Sequence, residues 1–379
     1  MAWIAIKMLL GDRVKYLGLI LGVAFSSLLM IQQASIFVGV LRLSAYLVHA
    51  NPQVDIWVAR PGVGATEIVE QMPEGWLSRV RGIPGIEWAV PMYRGGAVAR
   101  GSDGNLYTIG LIGVDDASLI GAPAVMLAGN LEDLRNPDTG IVDISTFKRL
   151  FGDAPIATQP TIEIGKKRLT VVGVCRAVKT ITGGDVIYTR RSVAVRIAQE
   201  PNNTVTFALV KVHDPAQAPA IAKAIEQATG LAAYSKAQFT DRIIQWTIDN
   251  TGIVQVLGSV ILLGMVIGIL VVGQTFYLFA YENQRYFAAL KAMGATNAVI
   301  TGMLCFQAII VSALGYGLGA GGATIILVAG DTDLSPMRGL TVEGSVAIAV
   351  AVIMPCMVLL TALFAARRVL NAEPGIVFK

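Results

Sequence analysis

Few residues in this 379-residue chain stand where chemistry would need them. GLGAGG (317–322) has the GxGxxG spacing of a dinucleotide-binding turn. Such a turn needs a preceding strand and a helix N-terminus open to water for the pyrophosphate. Here it lies inside a charge-free apolar run and has no means of holding one. A phosphate loop of the form GxxxxGK[ST] is absent, and Gly165-Lys166-Lys167 reads as a hairpin turn without the required hydroxyl. ATP hydrolysis is therefore not expected of this chain. His49 and His213 are its only histidines, and neither has a carboxylate or cysteine arrangement that suggests a metal or a triad. His213, just before Asp214-Pro215, reads as a turn residue. Of the three cysteines, Cys305 and Cys356 fall in apolar runs and Cys175 does not. No intrachain disulfide, metal site, catalytic residue or bound cofactor is expected.

The apolar runs that disarm these motifs also define the class of the chain. Hydrophobic residues make up 54% and charged residues 15%, with a mean hydropathy of +0.62. No Asp, Glu, Lys or Arg occurs in 16–41, 250–281, 292–330 or 344–366. About 20 residues suffice to cross roughly 30 Å of hydrocarbon as a helix. A Lys or Arg at mid-span costs about 2.5–3.5 kcal/mol. Four transmembrane helices are expected, at 16–41, 250–281, 298–330 and 344–366. The longest charge-free run elsewhere, 117–131, is broken by Gly121, Pro123 and Gly129. With no acid or base inside the spans, a proton-coupled carrier is disfavoured. Gln255, Gln274 and Gln307 read as helix–helix hydrogen-bonding residues. Gly18/Gly22, Gly264/Gly268 and Gly315/Gly319 are four apart, as in helices that pack closely in lipid.

Basic residues near the spans set the orientation. Lys7, Arg13 and Lys15 precede the first, Arg285 and Lys291 lie between the second and third, and Arg367 and Arg368 follow the fourth. The positive-inside rule then puts 1–15, 282–297 and 367–379 in the cytoplasm, and 42–249 and 331–343 outside. Val48-His49-Ala50 superficially fits a signal cleavage site. The apolar stretch before it exceeds the 7–15 residues or so of a signal peptide, so an uncleaved first helix is expected.

The outward segment of about 200 residues reads as a folded α+β domain. QVDIWVA (53–59) alternates like a strand, and EGWLSRVRGI (74–83) reads as a short helix with Trp76, Leu77, Val80 and Ile83 on one side. IEWAVPMYRGGAVAR (86–100) and LYTIGLIGV (106–114) read as strands joined at Ser102–Asn105, and IEIGKKRLTVVGVC (162–175) as a second hairpin. TVTFALVKV, APAIAKAIEQAT and LAAYS (204–235) read as strand, helix and strand, with a β-rich insertion at about 115–200 splitting the domain. Residues 42–250 carry 21 Lys and Arg against 20 Asp and Glu, a balance that argues for neither nucleic acid nor an acidic partner. Phe239, Ile243, Trp246, Asn250 and Ile253 recur at helical spacing. They predict a stalk helix from about 236 that runs unbroken into the second span and carries movement, or else docks on its own domain.

The stretch ENQRYFAALKAMGATNAVI (282–300) belongs to neither neighbouring span. Tyr286, Phe287, Leu290 and Met293 can form an apolar stripe, with Asn283, Lys291 and Asn297 elsewhere, as in a short amphipathic helix at a membrane surface.

Arg-x-Phe-Ala-x-Leu-Lys-Ala-Met-Gly-Ala-Thr (285–296) resembles the cytoplasmic loop of the MacB/FtsX/LolC-type (type VII) ABC transporter permeases. One N-terminal span, a large outward domain and three C-terminal spans agree with that family. DIWVARPG (55–62) and AARRVLNAEPGIVFK (365–379) look most like its DevC branch. The resemblance implies that 282–297 is a coupling helix docking on a separate ABC ATPase, which binds the ATP and Mg. Arg285, Tyr286, Phe287, Leu290, Lys291, Ala292, Met293, Gly294, Ala295 and Thr296 would form that contact, with Gly294 allowing close backbone approach. Relatives usually have an acid where this chain has Tyr286. The resemblance also implies a homodimer in a bacterial inner membrane, transmitting motion to a periplasmic domain. A periplasmic membrane-fusion adaptor and an outer-membrane duct would complete an exporter. The alternatives are a lipoprotein- or lipid-extracting permease and an FtsX-like signalling protein acting on a cell-wall hydrolase.

Overall fold

A computed structural model describes residues 3, 7–8, 13–66, 70–152, 154–155, 158–165, 167–177, 185–335 and 337–370. Most of the expected cytoplasmic ends, 1–15 and 367–379, lies outside these residues, as does the turn residue Lys166. In chain order the helices used below are α1 (Arg13–Ser44), α2 (Tyr46–His49), α3 (Gly75–Arg81), α4 (Ile144–Phe151), α5 (Arg191–Ala198), α6 (Ala218–Thr229), α7 (Lys236–Asn250), α8 (Ile253–Glu282), α9 (Gln284–Ala292), α10 (Asn297–Gly330) and α11 (Gly344–Leu370). The chain divides into a helical unit (1–39, 252–331 and 340–379) and an α+β unit (40–251 and 332–339).

In the helical unit, α1, α8, α10 and α11 contain four stretches long and apolar enough to cross a membrane: Tyr16–Ser44, Ile253–Phe279, Asn297–Gly330 and Gly344–Arg367. Their buried faces share one core, with Leu19, Val23 and Ile31 of α1, Val272 and Phe276 of α8, Leu304 and Val311 of α10, and Met354 and Val358 of α11. Gln307 is fully buried in this unit, whereas Gln255 and Gln274 are exposed.

The α+β unit is built on two half-domains that share a strand. Strands β1 (Ile56–Ala59), β3 (Ile86–Arg100), β11 (Phe207–Val212) and β12 (Ala232–Ser235) form an antiparallel sheet in the order β12-β1-β11-β3. With α3 after β1 and α6 before β12, this is the βαββαβ arrangement of ferredoxin-like folds. Ile56, Val58 and Val210 cover the side that receives Leu77 and Val80 of α3 and Ile221 and Ile225 of α6. On alternate residues Trp57 and Leu209 join a second cluster with Phe239 and Ile243 of α7, as the period-2 pleat requires.

The insertion does not begin at 115. Strand β3 stays paired with β11 through Met92, then from Tyr93 pairs with β4 (Leu106–Val114) and so enters the second half-domain. There β4 pairs with β9 (Asp185–Arg190), β9 with β6 (Thr139–Asp143), β6 with β8 (Lys167–Cys175), and β8 with β7 (Thr161–Ile164). Strand β7 also pairs with β3, so six strands form a closed ring. Strand β5 (Met126–Gly129) adds to the far end of β8, and the short strands β2 (Met72–Pro73) and β10 (Thr204–Val205) pair with each other apart from this sheet. The 93–114 hairpin therefore belongs to this β-rich lobe; alternation marked its strands, but nothing local marked their partners. Helices α4 and α5 cover the lobe with Phe147, Leu150, Val193 and Ile197.

The expected unbroken stalk is interrupted. Helix α7 starts at a capping box, Ser235 with Gln238, and ends at Asn250. Gly252 then takes φ +67°, a left-handed conformation outside any right-handed helix, and α8 starts at Ile253. Periodicity ran through the junction because a helix stop made by one glycine leaves the flanking apolar spacing intact.

Candidate functional site

Two short connectors join the last three long helices, and the first contains the residues singled out from the sequence. Helix α9 ends in a Schellman motif: the Gly294 amide donates to the Lys291 carbonyl (2.9 Å) and the Ala295 amide to that of Leu290 (2.9 Å). Gly294 has φ +95°, and, its chain neighbours aside, no atom of the described residues lies within 4 Å of where its Cβ would be. Within the chain, glycine is required there by the backbone and not by a close neighbour. The motif turns the chain so that Thr296 precedes α10 in an extended conformation.

The expected stripe of Tyr286, Phe287, Leu290 and Met293 is divided between two sides. Phe287 and Ala288 are buried, and Phe287 and Leu290 pack on the core of the helical unit. Tyr286 is 66% exposed and Met293 75%. Residues seven apart return to nearly the same side of a helix, so these two large side chains face the same way. Arg285, Ala292, Gly294 and Thr296 are exposed as well, and Lys291 and Ala295 are half-buried. Residues 283–297 contain Arg285 and Lys291 and no acid. The connector thus presents Arg285 beside two apolar projections, anchored from behind by Phe287.

The stalk residues separate too. Phe239 and Ile243 are fully buried in the α+β unit. The Phe239 ring stacks on Tyr234 at 5.7 Å and meets Trp57 and Phe207 at 5.7 and 6.0 Å. The buried row continues to Thr247, while Trp246 is half-buried over Gly64 and Asn250 is exposed. Arg242 Nε also donates to the Val63 carbonyl (2.8 Å). Helix α7 is thus docked along its own domain, and Ile253 lies beyond the Gly252 break.

Among the paired glycines, Gly22, Gly268, Gly315 and Gly319 each leave too little room for a Cβ against a neighbouring helix, and a Cβ at Gly264 would lie a tight 3.3 Å from Leu29. Gly18 is the exception: it is exposed, with nothing within 4 Å. Ser26 and Ser27 of α1 lie over Gly268 and Gly319. Ser26 Oγ donates to the Gly264 carbonyl (2.8 Å), and Ser27 Oγ to that of Gly315 (3.4 Å). These hydroxyls hold α1 against α8 and α10, where lipid provides no hydrophobic drive for association. Two adjacent serines within a charge-free run were the available signal.

A second functional residue stands in the 331–343 connector, Arg338. Residues 332–339 fold as part of the α+β unit. The side chains of Arg338 and Asp143 are 5% and 4% exposed, and their ion pair is 2.8 Å long. Arg338 Nη2 also donates to the Ala177 carbonyl. Asp143 caps α4 by accepting from the Ser145 amide (2.9 Å), and it accepts from the Ala177 amide (2.9 Å). Nearby, Asp333 accepts from Lys148 Nζ (2.7 Å) and lies 3.6 Å from Arg176. The Lys148 hydrogen bond and the surrounding cations hold the Asp333 carboxyl below its ordinary pKa. Cys175, opposite Asp143 in the β6–β8 ladder, is fully buried; burial and the Asp143 charge push its thiol up to about 12. Among the described residues, no group of three or more His, Cys, Asp or Glu is placed to hold a metal.

Two family descriptions match the chain. The MacB-like periplasmic core domain matches residues 16–228, and the FtsX-like permease C-terminal region matches 258–374. No curated protein matches it. Three solved structures align at low identity. The extracellular domain of the noncanonic ABC-type transporter YknZ from Gram-positive bacteria aligns at 15% identity and TM-score 0.36, over 48% of this chain and 98% of that one. The periplasmic region of MacB from Actinobacillus actinomycetemcomitans aligns at 14% and 0.39, over 53% and 94%. A domain of a permease protein from Porphyromonas gingivalis aligns at 14% and 0.30, over 49% and 89%. With four membrane-length helices and a large α+β domain after the first, this chain belongs to the MacB/FtsX family of ABC transporter permeases.

Proposed function

We propose that this permease transmits the ATP-driven motion of a separate ATPase subunit to its periplasmic α+β domain, and that the α9 connector is where the ATPase docks. The observation that carries this reading is the division of α9 into an anchored and a presented side. Phe287 is buried in the helical core while Tyr286 and Met293 stand out at 66% and 75% exposure. A connector anchored in this way passes force to α8 and α10 without needing to fold on contact. Its basic, apolar face fits a partner groove that is apolar inside and acidic at the rim. Tyr286 would supply by burial what an acid supplies by charge.

By family likeness, the productive form is a dimer in the bacterial inner membrane with both termini cytoplasmic. The DevC-like matches favour export from the periplasm through an adaptor and an outer-membrane duct. ATP and Mg belong to the partner chain. The buried stripe of α7 makes the α+β domain move as a body.

The test is gentle co-purification of the tagged protein from native membranes, with mass spectrometry of what remains bound. An ATPase with an elongated periplasmic adaptor is expected. An ATPase with a lipoprotein carrier or a wall hydrolase would move the function to extraction or signalling. No ATPase, even after crosslinking through Tyr286 or Met293, would overturn the docking assignment.

A further inference from the structure

We infer that Arg338 and Asp143 are transmission residues, which make the connector between α10 and α11 a moving part of the β-rich lobe. The inference rests on the proposed function for the source of the motion, but its structural content stands on the pair itself.

An arginine within the 331–343 connector would ordinarily be solvated. Here it is inserted beside a carboxylate that already has two backbone amide donors, Ser145 and Ala177, and it returns a hydrogen bond to the Ala177 carbonyl. Asp143 therefore joins three chain segments: the start of α4, the residues after β8, and the connector. An ion pair buried this deeply gains little net stability over an apolar substitute, yet loses much if either partner is removed. That is the energetic signature of a contact that stays closed. The outer arm, Asp333 with Lys148 and Arg176, closes over the same corner from solvent. The chain enters 332–339 directly from α10 and leaves it into α11, so displacement of those helix ends is delivered to α4 and β8. On the 283–297 side, by contrast, Arg285, Tyr286 and Met293 are exposed. The lobe then has a mechanical input separate from α1 and from α7.

Cys175 reports on this corner. The test uses the full-length protein in lipid nanodiscs with its co-purified ATPase, with Cys305→Ala and Cys356→Ala so that maleimide can read Cys175 alone. In the parent protein, Cys175 should alkylate slowly and residues 332–339 should be protected from hydrogen exchange together with 143–150. Arg338→Ala should accelerate alkylation on the order of a hundredfold and release both segments together. Removing the cation raises the thiol pKa further, so acceleration can come only from opening. Lys148→Ala leaves no buried charge and should give a change of a few-fold in the same direction, which covers the case that Arg338→Ala does not fold. Addition of ATP should alter the Cys175 rate in the parent. In Arg338→Ala that ATP response should vanish while ATP turnover stays within about twofold.

An ATP response that survives in Arg338→Ala, or a 332–339 segment that exchanges as a free loop in the parent, would overturn the inference. If no ATPase binds the parent, the proposed function fails instead. Joint protection and joint release of the two segments then still decide whether the connector belongs to the lobe.

Discussion

The two connectors between the last three long helices, 283–296 and 331–343, are close in length and opposite in construction. Residues 283–296 expose Tyr286 and Met293 and bury Phe287 within their own unit. Residues 332–339 bury Arg338 in the α+β unit and leave Leu334 as their exposed apolar side chain. Under the proposed docking the first is completed by the ATPase; the second is closed within the chain. A face awaiting a partner should be sensitive in binding and indifferent in stability, and a closed contact should be the reverse.

The sharpest break in that comparison comes from Arg338→Met. Stranding Asp143 in the interior should cost about 3–5 kcal/mol, read as a lowered midpoint for thermal unfolding of the α+β domain. ATPase binding should be unchanged. Next is the double substitution Tyr286→Ala with Met293→Ala. Exposed truncations usually stay within about 0.5 kcal/mol in stability, yet two central contacts of an interface are worth about 2 kcal/mol each. Titration of the ATPase onto nanodisc-held permease should then show at least about a thirtyfold loss with an unchanged midpoint. A fall in stability as large as that of Arg338→Met would erase the distinction. Gly294→Ala is smaller: a methyl group at φ +95° meets, its chain neighbours aside, no atom of the described residues but strains the helix end by about 1 kcal/mol. It should weaken ATPase stimulation a few-fold by misdirecting Thr296.

The least effect comes from acid. Asp333 has a lowered carboxyl pKa in the folded protein, so its contribution is complete above the unfolded value of about 3.9 and is lost as pH falls through the folded one. Hydrogen exchange in 332–339 should therefore rise only below about pH 4. With Lys148→Ala it should lose much of that dependence.

What could be read from the sequence follows a physical division. Spans were visible because one charge in hydrocarbon costs more than most local preferences, and the strands 86–100 and 106–114 because alternation and a turn define them locally. The partners of those strands were not visible. The parallel ladders β4–β9 and β6–β8 join segments far apart in the chain, and no short-range pattern encodes them. Likewise Tyr286 and Phe287 are adjacent and both aromatic, and only packing on the helical core decides which is buried. Arg338 could not be told from a solvated arginine because its partner lies 195 residues away.

Strand β3 has a practical consequence. Its 15 residues run about 50 Å and belong to both half-domains without a break. It acts as a spine: spreading the two lobes would strain one continuous strand, so they should unfold as one cooperative body. Anyone exchanging the β-rich lobe between relatives must cut inside this strand, between Met92 and Tyr93. A graft made at the visible edge of the insertion, near 115, would carry over half of a ladder and leave the other half behind.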